Sequence, residues 1–279
     1  MGALIKVACV QMTSGPDVQD NMAKAGALIK EAAAQGATFV LTPENTDRIR
    51  STQSQKIDSA YSLDDHPAIP YFAALAKDLG ITLLIGSMAV RVSEDKLLNR
   101  SFLFTADGSL QKTYDKIHLF DVQLPTGEKH TESDVVQPGT QAVTAAIGEG
   151  FSLGMTICYD LRFAYLYRDL AQAGANILCI PAAFTVPTGK AHWEILMRAR
   201  AIETGSYVLA PAQVGEHEGG RKTYGHSLII DPWGRVLAQK EEGEGIIFAD
   251  LDLVEVERAR GAIPALTHDR AYEVTANNE

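Results

Sequence analysis

Three residues of this chain stand where side chains could carry out acyl transfer. Cys158 follows the apolar run Leu153 to Ile157, in Ile157-Cys158-Tyr159-Asp160-Leu161-Arg162. Glu44 follows Thr38 to Leu41, in Leu41-Thr42-Pro43-Glu44-Asn45, and Lys116 lies in Tyr114-Asp115-Lys116-Ile117-His118-Leu119-Phe120. A thiolate attacks carbonyl carbon well, but at neutral pH it needs a base or a positive neighbour to form. A carboxylate whose pKa is raised by burial can take the thiol proton and return it to a leaving amine. A lysine together with a backbone N–H can stabilise the tetrahedral oxyanion, where losing one donor costs ~2.7–4 kcal/mol. The set suffices for attack on an amide. Spacing alone is met equally by an inert buried cysteine, a turn glutamate and a solvated edge lysine.

The elements that must position these residues read as alternating strands and helices. Short apolar, β-branched runs recur at Val7–Val10, Thr38–Leu41, Thr82–Ile85, Leu153–Ile157, Ile177–Ile180 and Tyr207–Ala210, too short for helices and bordered by polar, Gly or Pro residues. Between them Asn21–Gln35, Pro70–Leu79 and Tyr165–Ala173 show helical spacing, each followed by a glycine, at 36, 80 and 174, where a left-handed residue commonly ends a helix. The alternation predicts an α/β fold, with reactive residues at the carboxyl ends of strands. Two stretches echo one another: Asn99–Phe104 running through Asp107-Gly108, and His226–Ile230 running through Asp231-Pro232-Trp233-Gly234. Each reads as a β-hairpin. The echo points to two related half-units whose sheets pack face to face. No low-complexity linker divides the chain, so one domain over 1–279 is expected, with 264–279 a polar C-terminal extension or intersubunit arm.

Composition narrows the partners. The formal net charge of −10 disfavours nucleic acid and anionic membrane surfaces, which call for a basic face. Apolar runs fall far short of the ~20 residues of a membrane helix. Three cysteines, Cys9, Cys158 and Cys179, suggest a reducing compartment. Met1-Gly2-Ala3-Leu4-Ile5-Lys6 lacks the basic start and apolar run of a signal peptide, so a cytoplasmic location is expected. Cys9 and Cys179 read as inert core residues. His118 and His192 lack a paired metal-ligand spacing, and Trp233 reads as a turn or interface anchor. Gly-x-Ser-x-Gly is absent, which disfavours a serine hydrolase.

Pro43-Glu44, Tyr114 to Asp121 and Ile157 to Phe163 resemble the three signature blocks of the nitrilase superfamily, in the family's order of Glu, Lys and Cys. The resemblance runs from Val7 to about Leu253 and takes in Pro181-Ala182-Ala183-Phe184-Thr185, His192-Trp193-Glu194, Arg198 to Glu203 and Tyr224 to Ser227. It implies an αββα four-layer sandwich, no metal or organic cofactor, a homo-oligomer, and a thioester acyl-enzyme hydrolysed by water. By the same resemblance Cys158 is the nucleophile, Glu44 the general base and then acid, Lys116 the oxyanion stabiliser, and the Tyr159 N–H a second oxyanion donor. The family's second glutamate matches Glu132, sixteen residues after Lys116, with Glu128 as its rival.

The blocks His118 to Val122 and His192-Trp193-Glu194 resemble the branch holding ω-amidase and deaminated glutathione amidase, and Ala212 to His217 with Arg221 to Ser227 looks closer to the latter. The implied substrate is an α-keto acid joined by an amide to a Cys-Gly dipeptide, giving 2-oxoglutarate and cysteinylglycine. Alternatives are ω-amidase action on 2-oxoglutaramate or succinamate, or a related carbamoylase or aliphatic amidase activity. Two substrate carboxylates call for cationic or N–H donors, and Arg162, Lys190, Arg221 and Lys222 are the candidates. Phe184 and Thr185 are expected to line the pocket.

Overall fold

The structure, a computed structural model, describes residues 3–124 and 127–275. The starting Met1-Gly2, the Pro125-Thr126 pair beside the rival Glu128, and the last four residues of the expected 264–279 extension lie outside the described residues.

Alternation along the strands sets the layers. In β1 (Leu4–Gln11), Ile5, Val7 and Cys9 pack in one buried cluster while Ala8 and Val10 pack in another. A strand buried on both faces needs cover on both. β2 (Phe39–Leu41) and β3 (Thr82–Arg91) continue parallel to β1, and β4 (Leu97–Phe104) and β5 (Leu110–Asp115) follow by antiparallel pairing. The two-residue strand Tyr61–Ser62 pairs beside Val90 and Arg91. In the second sheet β6 (Val143–Gly148) runs antiparallel to β7 (Phe151–Met155). β8 (Ile177–Cys179) and β9 (Tyr207–Ala210) run parallel to β7, and β10 (Ser227–Ile230) and β11 (Val236–Lys240) are antiparallel. β12 (Gly245–Asp252) returns to pair antiparallel with β1, Leu4 opposite Asp252.

The spatial orders are β12-β1-β2-β3-β4-β5 and β6-β7-β8-β9-β10-β11. Read in these orders, both sheets show the same run of polarities: antiparallel, parallel, parallel, antiparallel, antiparallel. The two echoing hairpins of the sequence are β4–β5 and β10–β11, at equivalent places in the two sheets.

Helices close the outer faces. α1 (Val18–Ala34) begins three residues before the expected start, because Asp17 caps it by accepting from the Asp20 N–H at 3.0 Å. α2 (Gln53–Asp58), not expected from periodicity, buries no residue and is held by a capping box between Thr52 and Gln55. α3 (Ala68–Leu79) starts before Pro70, which falls in its first turn, where the missing N–H has no intrahelical acceptor to lose. α1 and α3 pack on the face of the first sheet that carries Ala8, Val10, Val40, Leu83, Phe102 and Phe104. α4 (Ala164–Gln172) and α5 (Val186–Thr204) cover the second sheet, and Gly154 of β7 faces α4 beside Leu170. Leu153 and Met155, on the opposite face, belong to the buried cluster that also holds Val7, Cys9 and Leu41 of the first sheet. The result is the four-layer αββα sandwich. α6 (Leu253–Ala262) follows β12, and the segment after it lies along α4 through bonds from Arg168 to the Ala265 carbonyl and from Gln172 to the Leu266 carbonyl, both 2.9 Å.

Candidate active site

The loop after β2 is fixed by its own backbone and hydroxyl bonds. The Thr42 hydroxyl accepts from the Gly86 N–H (3.1 Å) and from the Thr46 hydroxyl (2.7 Å), and Asn45, at a φ of 58°, donates its N–H to the Ser87 hydroxyl (2.9 Å). Gly86 makes this packing possible. A Cβ there would stand 2.1 Å from the Thr42 carbonyl oxygen, 2.6 Å from that of Pro43 and 2.5 Å from Pro181 Cβ. The residue must be glycine for the loops after β2 and β8 to approach β3 this closely.

Glu44 projects from this loop and is 3% exposed. Its Oε1 accepts from Lys116 Nζ and from Asn99 Nδ2, both at 2.9 Å, and its Oε2 accepts from the Ala183 N–H at 2.9 Å. Lys116 comes just past β5 and is held by its N–H to the Asn99 carbonyl (3.0 Å). Its ammonium also meets both oxygens of Glu132, at 2.9 and 3.1 Å, and Glu132 Oε2 accepts from the Phe120 N–H at 2.7 Å. Glu128 lies elsewhere, half-exposed beside His130. Of the two rivals, Glu132 is the one that meets Lys116.

Cys158 follows β7 in the left-handed region, at a φ of 47°, with its N–H bonded to the Pro181 carbonyl at 2.9 Å. A non-glycine residue in this conformation stores strain that its surroundings must hold. The holding group is Asp160, fully buried, whose carboxylate accepts from the Ile157 N–H (2.9 Å), the Tyr114 hydroxyl (2.6 Å) and the His118 N–H (3.0 Å). This one carboxylate ties the Cys158 turn to the Lys116 segment. The His118 ring bonds Asp160 and Tyr165 and stacks on Phe163, while the His192 ring meets Arg162. Both histidines are thus engaged in packing and hydrogen bonding. Among the described residues no group of three or more His, Cys, Asp or Glu side chains is arranged to hold a metal ion.

Glu44, Lys116, Glu132 and Cys158 line one cavity of about 280 Å³. Its electrostatics correct one expectation. Burial by itself pushes the Glu44 carboxyl up, but the charge and hydrogen bond of Lys116 outweigh it, with help from the Cys158 thiol and Arg221, and the net direction is down. Glu44 is therefore ionised in the resting site. Burial lowers Lys116, but the charges of Glu132 and Glu44 drive it well above 10.5. Burial, then the Glu44 charge, push the Cys158 thiol well above 9.0 against the pull of Lys116. The resting site holds a neutral thiol, a carboxylate and an ammonium group.

Tyr159, Phe184 and Thr185 line the same cavity, the Thr185 hydroxyl being shared with Thr188 at 2.7 Å. The Tyr159 N–H sits in the first turn of a short 3₁₀ helix, where N–H groups have no partner within the helix. Of the four expected basic residues, only Arg221 reaches the cavity wall. The Arg162 guanidinium turns to His192 and lies over the Tyr159 and Phe184 rings. Lys190 is exposed, and Lys222, also exposed, pairs with Glu216 at 3.4 Å. Sequence reasoning missed Arg48, Arg50, Lys56 and His130 in the wall, and missed Asn99 and the Ala183 N–H as partners of Glu44. Asn99 did carry a signal, a polar residue leading into the apolar run Ser101–Phe104.

Comparison with known proteins bears on this arrangement. Residues 6–261 match the carbon-nitrogen hydrolase family. The deaminated glutathione amidase of Yersinia enterocolitica is 39% identical over 267 residues, which cover 95% of this chain and 92% of that one. The crystal structure of the C. elegans NitFhit protein superposes with a TM-score of 0.90 at 35% identity, over 96% of this chain and 66% of that one. Saccharomyces cerevisiae Nit3, a member of branch 10 of the nitrilase superfamily, superposes with a TM-score of 0.85 at 32% identity, over 97% of each chain. The chain belongs to the carbon-nitrogen hydrolase family, within the nitrilase superfamily.

Proposed function

We propose that this hydrolase cleaves the amide of deaminated glutathione through a thioester on Cys158. The observation that carries the reading is the meeting of Glu44, Lys116 and Glu132 through bonds of 2.9 to 3.1 Å in the cavity that Cys158 also lines. Because the thiol is neutral and Glu44 ionised at rest, the proton moves from sulfur to Glu44 as sulfur closes on the carbonyl carbon. Lys116 and the Tyr159 N–H then face the developing oxyanion. The protonated Glu44 gives its proton to the leaving nitrogen as the C–N bond breaks. In the second half Glu44 takes a proton from water as its oxygen attacks the thioester carbonyl; the C–S bond then breaks, the carboxylic acid leaves, and Glu44 returns the proton to the Cys158 sulfur. Glu132 positions Lys116 through both of its oxygens. Tyr159, Phe184 and Thr185 shape the substrate cavity, and no cofactor takes part.

The relatives named deaminated glutathione amidase support this substrate over a smaller keto amide. The test is a comparison of kcat/KM for deaminated glutathione and 2-oxoglutaramate with purified protein. The reading expects preference for the former, and preference for the small amide overturns it.

We read the protein further as one cytoplasmic hydrolase domain acting as a homo-oligomer. All three cysteines are free and buried, and no described helix is long and apolar enough to cross a membrane. α5 exposes Ile195 (70%) and Ile202 (54%) seven residues apart on one face, and exposed Trp233 adjoins Gly234, which sits close against Ile202. Light scattering that returns a mass near 30.1 kDa at all concentrations would contradict the oligomer.

A further inference from the structure

Three of the six Lys and Arg side chains lining the cavity have an acidic partner. Lys116 has Glu44 and Glu132, Arg48 has Asp47, and Arg50 has Glu218. Lys56 of α2 and Arg221, which precedes the strand Lys222–Tyr224, line the same cavity and form no ion pair among the described residues. Lys129 is also unpaired but is exposed. In a chain with 35 acidic residues against 25 Lys and Arg, two half-buried neighbouring cations without a counter-charge are costly unless an anion joins them.

We propose that Lys56 and Arg221 form the subsite for a free carboxylate of the amide substrate, remote from the scissile carbon, and so select anionic amides over neutral ones. The proposal rests on the amidase reading above and names its specificity-determining residues. The geometry of Arg221 suits the role. One guanidinium nitrogen, Nη2, donates to the Ala183 carbonyl at 3.0 Å, and the Ala183 N–H in turn donates to Glu44. The guanidinium is thus anchored on the segment that holds the base, while its Nε has no protein partner. A planar guanidinium beside an ammonium is a strong receptor for a carboxylate. The two cations also feel one another: burial, then the Arg221 charge, hold the Lys56 ammonium below 10.5, and the same two causes lower the His130 imidazole. A carboxylate seated between Lys56 and Arg221 relieves that repulsion.

Two substrate pairs test this, each exchanging a carboxylate for a methyl group. Succinamate against butyramide carries the charge on the acyl side, and N-butyrylglycine against N-ethylbutyramide carries it on the amine side. The ratio of kcat/KM within each pair is read, so a general loss of activity cancels. The wild type is expected to favour the anion in at least one pair by about tenfold or more. Lys56→Met and Arg221→Met should each erode that ratio roughly 10- to 100-fold, the range for one lost charge-assisted contact, while Lys56→Arg keeps most of it. The pair that responds identifies which side of the amide the subsite reads. Acylation of Cys158 with no anion preference, or a preference unchanged in both methionine variants, overturns the subsite alone. Cleavage of deaminated glutathione with none of the four cleaved also overturns the subsite alone, and cleavage of none of the five with Cys158 unmodified overturns the amidase reading and the subsite together.

Discussion

β2 and β8 occupy equivalent places in the two sheets, and each runs into a loop with proline two residues past its end. One reads Leu41-Thr42-Pro43-Glu44 and the other Cys179-Ile180-Pro181-Ala182. The first loop sends a carboxylate into the cavity. The second sends none, and its backbone does the work instead: the Pro181 carbonyl takes the Cys158 N–H, and the Ala183 N–H supports Glu44 Oε2. The ends of β1 and β7 differ in the same way, since β7 leads to Cys158 while β1 ends at Gln11, whose Oε1 accepts from the Ser227 N–H and hydroxyl at 2.9 Å. The duplicated scaffold thus supplies matched strand ends, and residue identity divides the labour. In the proposed mechanism the first half provides the acid–base and charge chemistry and the second the nucleophile, while the Pro181 carbonyl and the Ala183 N–H act as braces.

That division can be broken from either side. Removing the proposed nucleophile of the second half, Cys158→Ala, should lower kcat by about 10⁴-fold or more, as in other sites whose attacking group is deleted; initial-rate assays at high enzyme concentration measure it. Glu44→Gln removes the proposed base of the first half and should cost roughly 10²- to 10⁴-fold in kcat, with iodoacetamide labelling reporting whether Cys158 still sits in a reactive pocket. Lys116→Met should cost on the order of 10²- to 10³-fold and should also change the pH profile in a defined direction. The charge that holds the Glu44 carboxyl below 4.5 is gone while burial remains, so the acid limb of kcat/KM moves to higher pH. In the wild type the depressed Glu44 contributes stability that is present above pH 4.5 and lost as pH falls through its folded value. Lys116, raised above 10.5, contributes stability present below that pH and lost as pH rises through its folded value.

Gly86 lies at the seam between the two loops. Gly86→Ala should push the Thr42 and Pro43 carbonyls and Pro181 apart, destabilise the fold by about 1–3 kcal/mol in urea denaturation, and lower kcat by displacing Glu44. Lys222→Ala, on a solvated residue paired only with Glu216, should stay within about 0.5 kcal/mol in stability, and its kcat/KM should match the wild type. A large effect there would move the substrate subsite away from Arg221.

The central strands were legible because they are apolar on both faces, and the echo of the two hairpins announced the duplicated sheets. The edge strands β6 and β12 were not read. They are half-exposed and mix polar with apolar residues, so their periodicity is diluted. Type and order single out Glu44, Lys116 and Cys158 in the sequence, and the fold brings them to one cavity, whereas their supports are backbone groups and distant side chains. The Ala183 N–H is invisible in a sequence, and Arg48, Arg50 and Lys56 lie in a polar segment whose only helix buries nothing. Arg162 follows the nucleophile in sequence, yet its side chain is drawn away by two aromatic faces and His192. The direction of the Glu44 shift failed for a similar reason: burial was foreseeable, but the ammonium that outweighs it arrives only through folding.

Acid-quenched turnover of deaminated glutathione, followed by mass spectrometry of the peptide holding Cys158, tests the central claim most directly. The account predicts a 2-oxoglutaryl mass increment on Cys158 that is lost on hydroxylamine treatment and is absent from the Cys158→Ala protein. Turnover at the wild-type rate by Cys158→Ala, or an adduct on another residue, would contradict it.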